Sequence, residues 1–128
     1  MFKRVLFIGL GGAGQRHLRL FSENCSKGTE LIAYRSSSKT PVLNSDFTVN
    51  DSYSLEELYG VTIYNDFDQA VNSSPDLAII STPSSLHMSY AQVCAEKGIN
   101  IFIEKPLSDT HKGFKKLYDT VTSNNLFF

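Results

Sequence analysis

The segment VLFIGLGGAG at residues 5–14 decides the fold, because an apolar run is followed directly by a glycine-rich turn. Four consecutive apolar residues, 5–8, are typical of a parallel strand that is buried on both faces. Gly9, Gly11 and Gly14 have the spacing G-x-G-x-x-G, and a helical apolar pattern follows them. The segment therefore predicts a strand, a tight turn and a helix in direct succession.

Each glycine of this motif has a separate physical role in the prediction. Gly9 permits the tight turn, Gly11 lets the backbone approach a pyrophosphate, and Gly14 allows the helix to pack closely on the strand. The start of the helix, with Gly12 and Ala13, would offer free N–H groups and a partial positive charge to phosphates. We interpret the motif as a dinucleotide-binding turn, and a strand–helix turn that binds nothing is the alternative.

The rest of the chain alternates short apolar runs with helical patterns, which is the signature of βαβ units and a parallel sheet. The patterns predict strands at Lys3–Ile8, Glu30–Arg35, Val61–Tyr64, Asp76–Ser81 and Asn100–Ile103. They predict further helices at Asp66–Val71, Leu86–Glu96 and Thr110–Ser123, the first capped by Asp66 and the last by Thr110.

Residues 36–60 are the least readable part of the sequence, with one helical turn predicted at Leu55–Leu58. Leu126–Phe128 resembles the start of a sixth strand at the point where the sequence ends. We therefore predict one α/β domain over residues 1–128, with a doubly wound parallel sheet of the Rossmann type in three layers and with no second domain.

Composition excludes several classes of function. The 128 residues carry a formal net charge of -1, which disfavours a nucleic-acid binder, since phosphate neutralisation needs an excess of Lys and Arg. The N-terminal apolar run is broken by glycines and by Arg16, so it does not read as a signal peptide. We expect a cytoplasmic protein without membrane or metal sites, with Cys25 and Cys94 as buried thiols.

The end of the second predicted strand bears on the choice of cofactor. An NAD site usually has Asp or Glu there, which accepts hydrogen bonds from the ribose 2′-hydroxyl. This chain has Tyr34, Arg35 and the run Ser36–Ser38 instead. Because a guanidinium can pair bidentately with a 2′-phosphate, we predict NADP over NAD. The alternative is a solvated Arg35 and a loose cofactor preference.

Two more motifs follow the next strands of the predicted sheet. Ser81-Thr82-Pro83 comes after the fourth strand, with His87 shortly beyond it, and Glu104-Lys105-Pro106 comes after the fifth. The carboxyl ends of parallel strands are where open α/β sheets bind their ligands. We therefore add all seven residues to the candidate site, with a helix-capping role as the alternative for His87.

With these motifs in order, the whole chain resembles the N-terminal domain of the Gfo/Idh/MocA family of NAD(P)-dependent sugar and cyclitol oxidoreductases. The resemblance implies that Lys105 takes part in proton transfer near the nicotinamide and the substrate hydroxyl, and that Glu104 positions Lys105 or contacts the nicotinamide ribose. Two departures are Ser84, where the family often has Asn, and the absence of an acidic residue after the second strand.

The resemblance also implies a second domain that supplies most substrate contacts. Its absence from the sequence predicts reduced catalysis or none, and an exposed apolar surface that favours self-association. Two functions stay open: the cofactor-binding part of an oxidoreductase of a small sugar or polyol, and a binding-only dinucleotide module without turnover.

Overall fold

The computed structural model describes residues 1–37 and 39–128, and its centre is a five-stranded parallel sheet. The strands are β1 (Arg4–Ile8), β2 (Glu30–Tyr34), β3 (Val42–Leu43), β4 (Val49–Asn50), β5 (Thr62–Tyr64), β6 (Leu77–Ile80) and β7 (Asn100–Ile103). The helices are α1 (Gly12–Asn24), α2 (Leu55–Tyr59), α3 (Phe67–Asn72), α4 (Ser84–Glu96) and α5 (Phe114–Ser123). The sheet order is β5-β2-β1-β6-β7, while β3 and β4 form a separate antiparallel pair.

The sheet is covered on both faces, as the uninterrupted apolar strands predict. Leu6 and Ile8 of β1 face a core that α3, α4 and α5 complete. Val5 and Phe7 alternate with them and face a second core that contains Leu18 of α1 and Leu55 of α2. The four β1 side chains are fully buried. The predicted three-layer, doubly wound α/β fold is therefore confirmed.

Several local predictions are corrected by the structure. Helix α4 begins at Ser84, two residues before the predicted Leu86, with Pro83 as its N-cap, whose ψ of 141° lies outside the helical region. Helix α5 begins at Phe114 rather than Thr110: Gly113 precedes it with φ +85°, and the Thr110 hydroxyl instead accepts from the Lys112 amide.

The segment 36–60 and the end of the chain also differ from the sequence interpretation. The short pair β3–β4 was not predicted, although the helical turn at Leu55 is confirmed as α2. Leu126–Phe128 does not form a strand, but the Phe127 carbonyl accepts a hydrogen bond of 2.9 Å from the Ile101 amide. The segment thus contacts β7 without extending the ladder.

The two cysteines are free thiols in different surroundings. Cys94 is buried, and this burial raises the pKa of its thiol to about 12. Cys25 is only half-buried, so the expectation of two buried thiols is wrong for it, because α1 ends just before it.

In the part of the chain that the structure describes, no three His, Cys, Asp or Glu side chains gather as a metal site. None of the described helices has the length and apolar character needed to span a bilayer.

Candidate functional site

The carboxyl ends of four neighbouring strands meet at one edge of the sheet. The Gly9 amide donates to the Tyr34 carbonyl at 3.1 Å, and the Ser81 amide donates to the Ile8 carbonyl at 2.9 Å. The Arg35 amide donates to the carbonyl of Tyr64, the last residue of β5. These bonds continue the parallel ladders by one residue, so the glycine turn, Arg35 and Ser81 lie side by side.

Two of the three motif glycines are required by packing. Gly9 has a φ of +95°, and a Cβ there would lie 3.0 Å from the Ser81 carbonyl and the Thr82 amide nitrogen. A Cβ on Gly14 would lie 2.0 Å from the Gly9 carbonyl oxygen, which real structures do not tolerate. The close approach of α1 to the turn thus depends on Gly14.

Gly11 is different, because nothing in the fold requires a glycine there. Its φ is -74°, which any residue adopts, and a Cβ would meet no described protein atom within 4 Å. The space beside Gly11 is therefore open. An open approach to the backbone at this position is what a dinucleotide pyrophosphate needs.

The start of α1 offers hydrogen-bond donors next to that space. Its N-cap, Gly11, has no side chain to cap the helix, and the first turn contains no acidic residue. The first amides of a helix, here from Gly12 to Gly14, have no carbonyl partner within the helix. They provide the donors and the positive end of the helix dipole that an anion would use.

A cleft of about 360 Å³ opens beside the glycine turn and across the strand ends. Three residues that line the cleft each have a buried polar side-chain atom with no hydrogen-bond partner among the described residues: Arg35 Nε, Ser81 Oγ and Thr82 Oγ1. Buried polar atoms are rarely left without a partner unless a ligand or water supplies it. The cleft is lined by Gly9, Leu10, Gly11, Tyr34, Arg35, Ser36, Ser37, Lys39, Thr40, Pro41, Ser81, Thr82, Pro83, Leu86 and Tyr90.

The cleft brings together nine of the residues that the sequence analysis singled out: Gly9, Gly11, Tyr34, Arg35, Ser36, Ser37, Ser81, Thr82 and Pro83. The nominated residues outside its lining are Gly12, Ala13 and Gly14 at the start of α1, His87 in α4, and Glu104, Lys105 and Pro106 after β7. Ser38 lies outside the described residues.

Sequence reasoning missed six lining residues and Gln15, whose side chain fixes one wall of the cleft. The six lining residues are Leu10, Lys39, Thr40, Pro41, Leu86 and Tyr90. Gln15 is almost completely buried, and its amide nitrogen donates to the Leu10 and Pro41 carbonyls. Its Oε1 accepts from the Leu43 amide, which fixes the segment after Lys39 against the glycine turn. The signal in the sequence was Gln15 itself, a polar residue on the apolar face of α1.

The segment after β7 lies next to the cleft along the same sheet edge. The Glu104 amide donates to the Ile80 carbonyl at 2.9 Å, which places Glu104 beside Ser81. The Glu104 carboxylate accepts from His17 Nε2 at 2.6 Å and from the Lys105 amide at 3.1 Å. The hydrogen bond from His17 is the main cause that lowers the pKa of Glu104, followed by the bond from the Lys105 amide. Lys105 itself is exposed, and the Lys105–Pro106 peptide bond is cis.

The contact between His17 and Glu104 makes a testable prediction. We expect His17→Leu to raise the pKa of Glu104 toward the ordinary 4.5, because the main donor is lost. His17→Gln is the matched control, since its amide nitrogen can approximate Nε2 and should keep the pKa low. The carboxyl carbon signal of Glu104, followed by NMR against pH, measures both.

The sign of the pH dependence follows from the lowered pKa. The hydrogen bonds to the Glu104 carboxylate stabilise the folded protein at pH values above the ordinary glutamate pKa. This stabilisation is lost as the pH falls through the lowered pKa of Glu104 in the folded protein. The His17→Leu variant should therefore lose less stability than the wild type on acidification below that ordinary value. An unchanged Glu104 titration in His17→Leu would contradict the assignment of His17 as the main cause.

His87 lies beneath the cleft rather than on its wall. The side chain is 1% exposed, and the ring nitrogens contact carbonyl oxygens of two different loops. Nε2 is 2.7 Å from the Thr82 carbonyl oxygen, and Nδ1 is 2.9 Å from that of Pro106. The His87 ring thus contacts both the Ser81-Thr82-Pro83 motif and the Glu104-Lys105-Pro106 motif. From the sequence alone, these motifs could be placed only at the same edge of the sheet.

Comparison with known proteins identifies the family of this sequence. A family profile described as "Oxidoreductase family, NAD-binding Rossmann fold" (GFO_IDH_MocA) matches residues 3–128. An uncharacterized oxidoreductase of Streptococcus pneumoniae serotype 4 is 26% identical over 102 residues, which are 79% of this chain and 28% of that protein.

Solved structures share the fold at low sequence identity. The WlbA dehydrogenase from Chromobacterium violaceum, in complex with NADH and UDP-GlcNAcA, is 17% identical with a TM-score of 0.76 over 96% of this chain and 33% of that one. Biliverdin reductase from Synechocystis sp. PCC 6803, in complex with biliverdin and NADP+, is 23% identical. Its TM-score is 0.76 over 98% of this chain and 36% of that one. The chain thus spans about a third of the length of these relatives.

Proposed function

The chain belongs to the Gfo/Idh/MocA oxidoreductase family, and we propose that it binds NADP in the cleft beside Gly11 as the cofactor-binding domain of a sugar or cyclitol oxidoreductase. The observation that carries the proposal is that three cleft-lining residues have buried polar atoms without a partner among the described residues, next to an uncapped helix start. They are hydrogen-bonding groups that a polar ligand would satisfy. The cytoplasmic location and the tendency to self-associate stay predictions.

The described residues fit a nicotinamide dinucleotide in three respects. Gly11 leaves its backbone accessible, so a pyrophosphate can approach the amides at the start of α1. Ser81 and Thr82 line the same cleft, and their hydroxyl groups have no hydrogen-bond partner among the described residues. Tyr34 and Tyr90 lie with their ring centroids 6.0 Å apart and offer apolar area within the same cleft.

The preference for NADP over NAD follows from the charges at the end of β2. Arg35 and Lys39 line the cleft together with Ser36 and Ser37, and no Asp or Glu is among the described lining residues. A carboxylate would accept from a ribose 2′-hydroxyl and repel a 2′-phosphate, whereas two cations attract the phosphate. Lys39 adds a second cation to the arginine and the serine hydroxyls on which the sequence-based prediction of NADP rests.

We assign the proton-transfer role to Lys105. A bound nicotinamide dinucleotide supplies the hydride acceptor or donor in such oxidoreductases. The Lys105 amine follows β7 at the same sheet edge and is exposed, so it is accessible to a substrate hydroxyl. In this proposal Lys105 takes up the hydroxyl proton during oxidation and returns it during reduction. Glu104, which accepts from the Lys105 amide, positions that segment.

A binding-only module is the second candidate, and the position of Lys105 outside the lining of the cleft favours it. Absorbance at 340 nm, recorded with NADP and a panel of sugars and cyclitols, separates the two candidates. We expect turnover that Lys105→Met lowers by about 10²-fold or more, the usual contribution of general acid–base catalysis. Turnover of any of these substrates would exclude the binding-only module, whereas tight NADPH binding without measurable turnover would support it.

A further inference from the structure

His87 occupies an unusual position for a polar side chain in this fold. It lies in the first turns of α4, whose other buried residues are Ala91, Cys94 and Ala95, and it is 1% exposed. A buried imidazole costs free energy unless its nitrogens are hydrogen-bonded. Its two ring nitrogens each lie within hydrogen-bond distance of a carbonyl oxygen, so the polar contacts distinguish His87 from the other buried residues of α4.

The ring connects two loops that the sequence separates. Its Nε2 contacts the carbonyl oxygen of Thr82 in the segment 81–83, here called the Thr82 turn. Its Nδ1 contacts the carbonyl oxygen of Pro106 in the segment 104–107, here called the Lys105 loop. Both partners are acceptors, so each contact requires a hydrogen on the ring nitrogen. A neutral ring donates to one loop, and an imidazolium donates to both.

We propose that His87 is a positioning residue that couples the Thr82 turn to the Lys105 loop, so that occupation of the cleft fixes the position of Lys105. The inference rests on the proposed function. Thr82 lines the cleft, and its buried hydroxyl has no hydrogen-bond partner among the described residues, while its carbonyl oxygen contacts His87 Nε2. A ligand that orders the Thr82 turn therefore also orders the ring, and through it the residue that follows Lys105.

Two conservative variants separate the two contacts. In His87→Gln the amide nitrogen approximates Nε2 and can donate to Thr82, but the contact with Pro106 is lost. In His87→Asn the amide nitrogen approximates Nδ1 and can donate to Pro106, but the contact with Thr82 is lost. Each variant is thus the matched control for the other, and thermal unfolding shows whether each is folded.

Two readouts are needed, one for each loop. NADPH affinity is measured by fluorescence titration, and amide hydrogen exchange is measured at Glu104, Lys105 and Leu107 with and without NADPH. We expect His87→Asn to weaken NADPH binding at least tenfold and His87→Gln to change it less than threefold. We expect saturating NADPH to slow exchange in the Lys105 loop at least fivefold in the wild type and not in His87→Gln.

The possible results separate this inference from the proposed function. The coupling is supported if His87→Asn weakens NADPH binding while His87→Gln leaves the binding nearly unchanged but abolishes the slowing of exchange in the Lys105 loop. Equal effects of both variants, unfolding of both, or wild-type behaviour of both overturn it and leave His87 a core residue. If the wild type fails to bind NADPH, the proposed function fails and the coupling fails with it. If it binds but the Lys105 loop does not respond, only the coupling is overturned.

Discussion

Replacing Gly14 by alanine should unfold the domain or lower its free energy of unfolding by about 3 kcal/mol or more, at the upper end of overpacking costs. The added Cβ would lie 2.0 Å from the carbonyl oxygen of Gly9, a backbone atom that cannot rotate away. Gly9 is itself fixed, because its amide bonds to Tyr34 and its α-carbon lies against Ser81. Urea denaturation followed by circular dichroism measures the loss.

Gly11→Ala is the matched control for this substitution. The same methyl group is added three residues away, at a φ of -74° and with no described atom within 4 Å. The free energy of unfolding should change by no more than about 1 kcal/mol, because the lower entropy of the unfolded chain offsets the weaker N-cap that alanine provides. Equal stability of the two variants would contradict the close packing of α1 on the turn.

Arg35→Ala should weaken NADPH binding by about 10- to 100-fold, because hydrogen bonds to charged groups contribute about 1.5–3 kcal/mol. Arg35 lines the cleft at the end of β2, and its Nε has no partner among the described residues. NADH lacks the 2′-phosphate, so its affinity should change little. Fluorescence titration of wild type and variant with both nucleotides gives the four dissociation constants.

Arg19→Ala is the matched control for Arg35, since it removes an arginine of α1 that does not line the cleft. Its ratio of NADPH to NADH affinity should equal that of the wild type. Tighter binding of NADH than of NADPH by the wild type would overturn the NADP assignment. If Arg35→Ala lowers the affinities for NADPH and NADH equally, Arg35 does not contact the 2′-phosphate.

The sequence was sufficient for the parts of the fold that local patterns determine. Residues 5–8 are apolar at every position, and both alternating sets of side chains are buried, which is what a central parallel strand requires. The roles of Gly9 and Gly14 were predicted from spacing, and the backbone contacts around them agree with the packing part of that prediction. Asp66 caps α3 as expected from its residue type.

What the sequence could not show depends on contacts between distant segments. Strands of two residues, such as Val42–Leu43, have no measurable period. The start of α5 depends on Gly113, whose left-handed backbone is not evident from composition. His87 and Pro106 are 19 residues apart, and His17 and Glu104 are 87 apart, so only the folded chain shows these pairs.

The central claim is that the open space beside Gly11 holds a dinucleotide, and a fluorescence titration of the wild type and Gly11→Ala with NADPH tests it most directly. We predict saturable binding by the wild type and at least tenfold weaker binding by Gly11→Ala at unchanged thermal stability, because a methyl group there would occupy the pyrophosphate approach. Absence of binding by the folded wild type, or equal affinity of the two proteins, would contradict the claim.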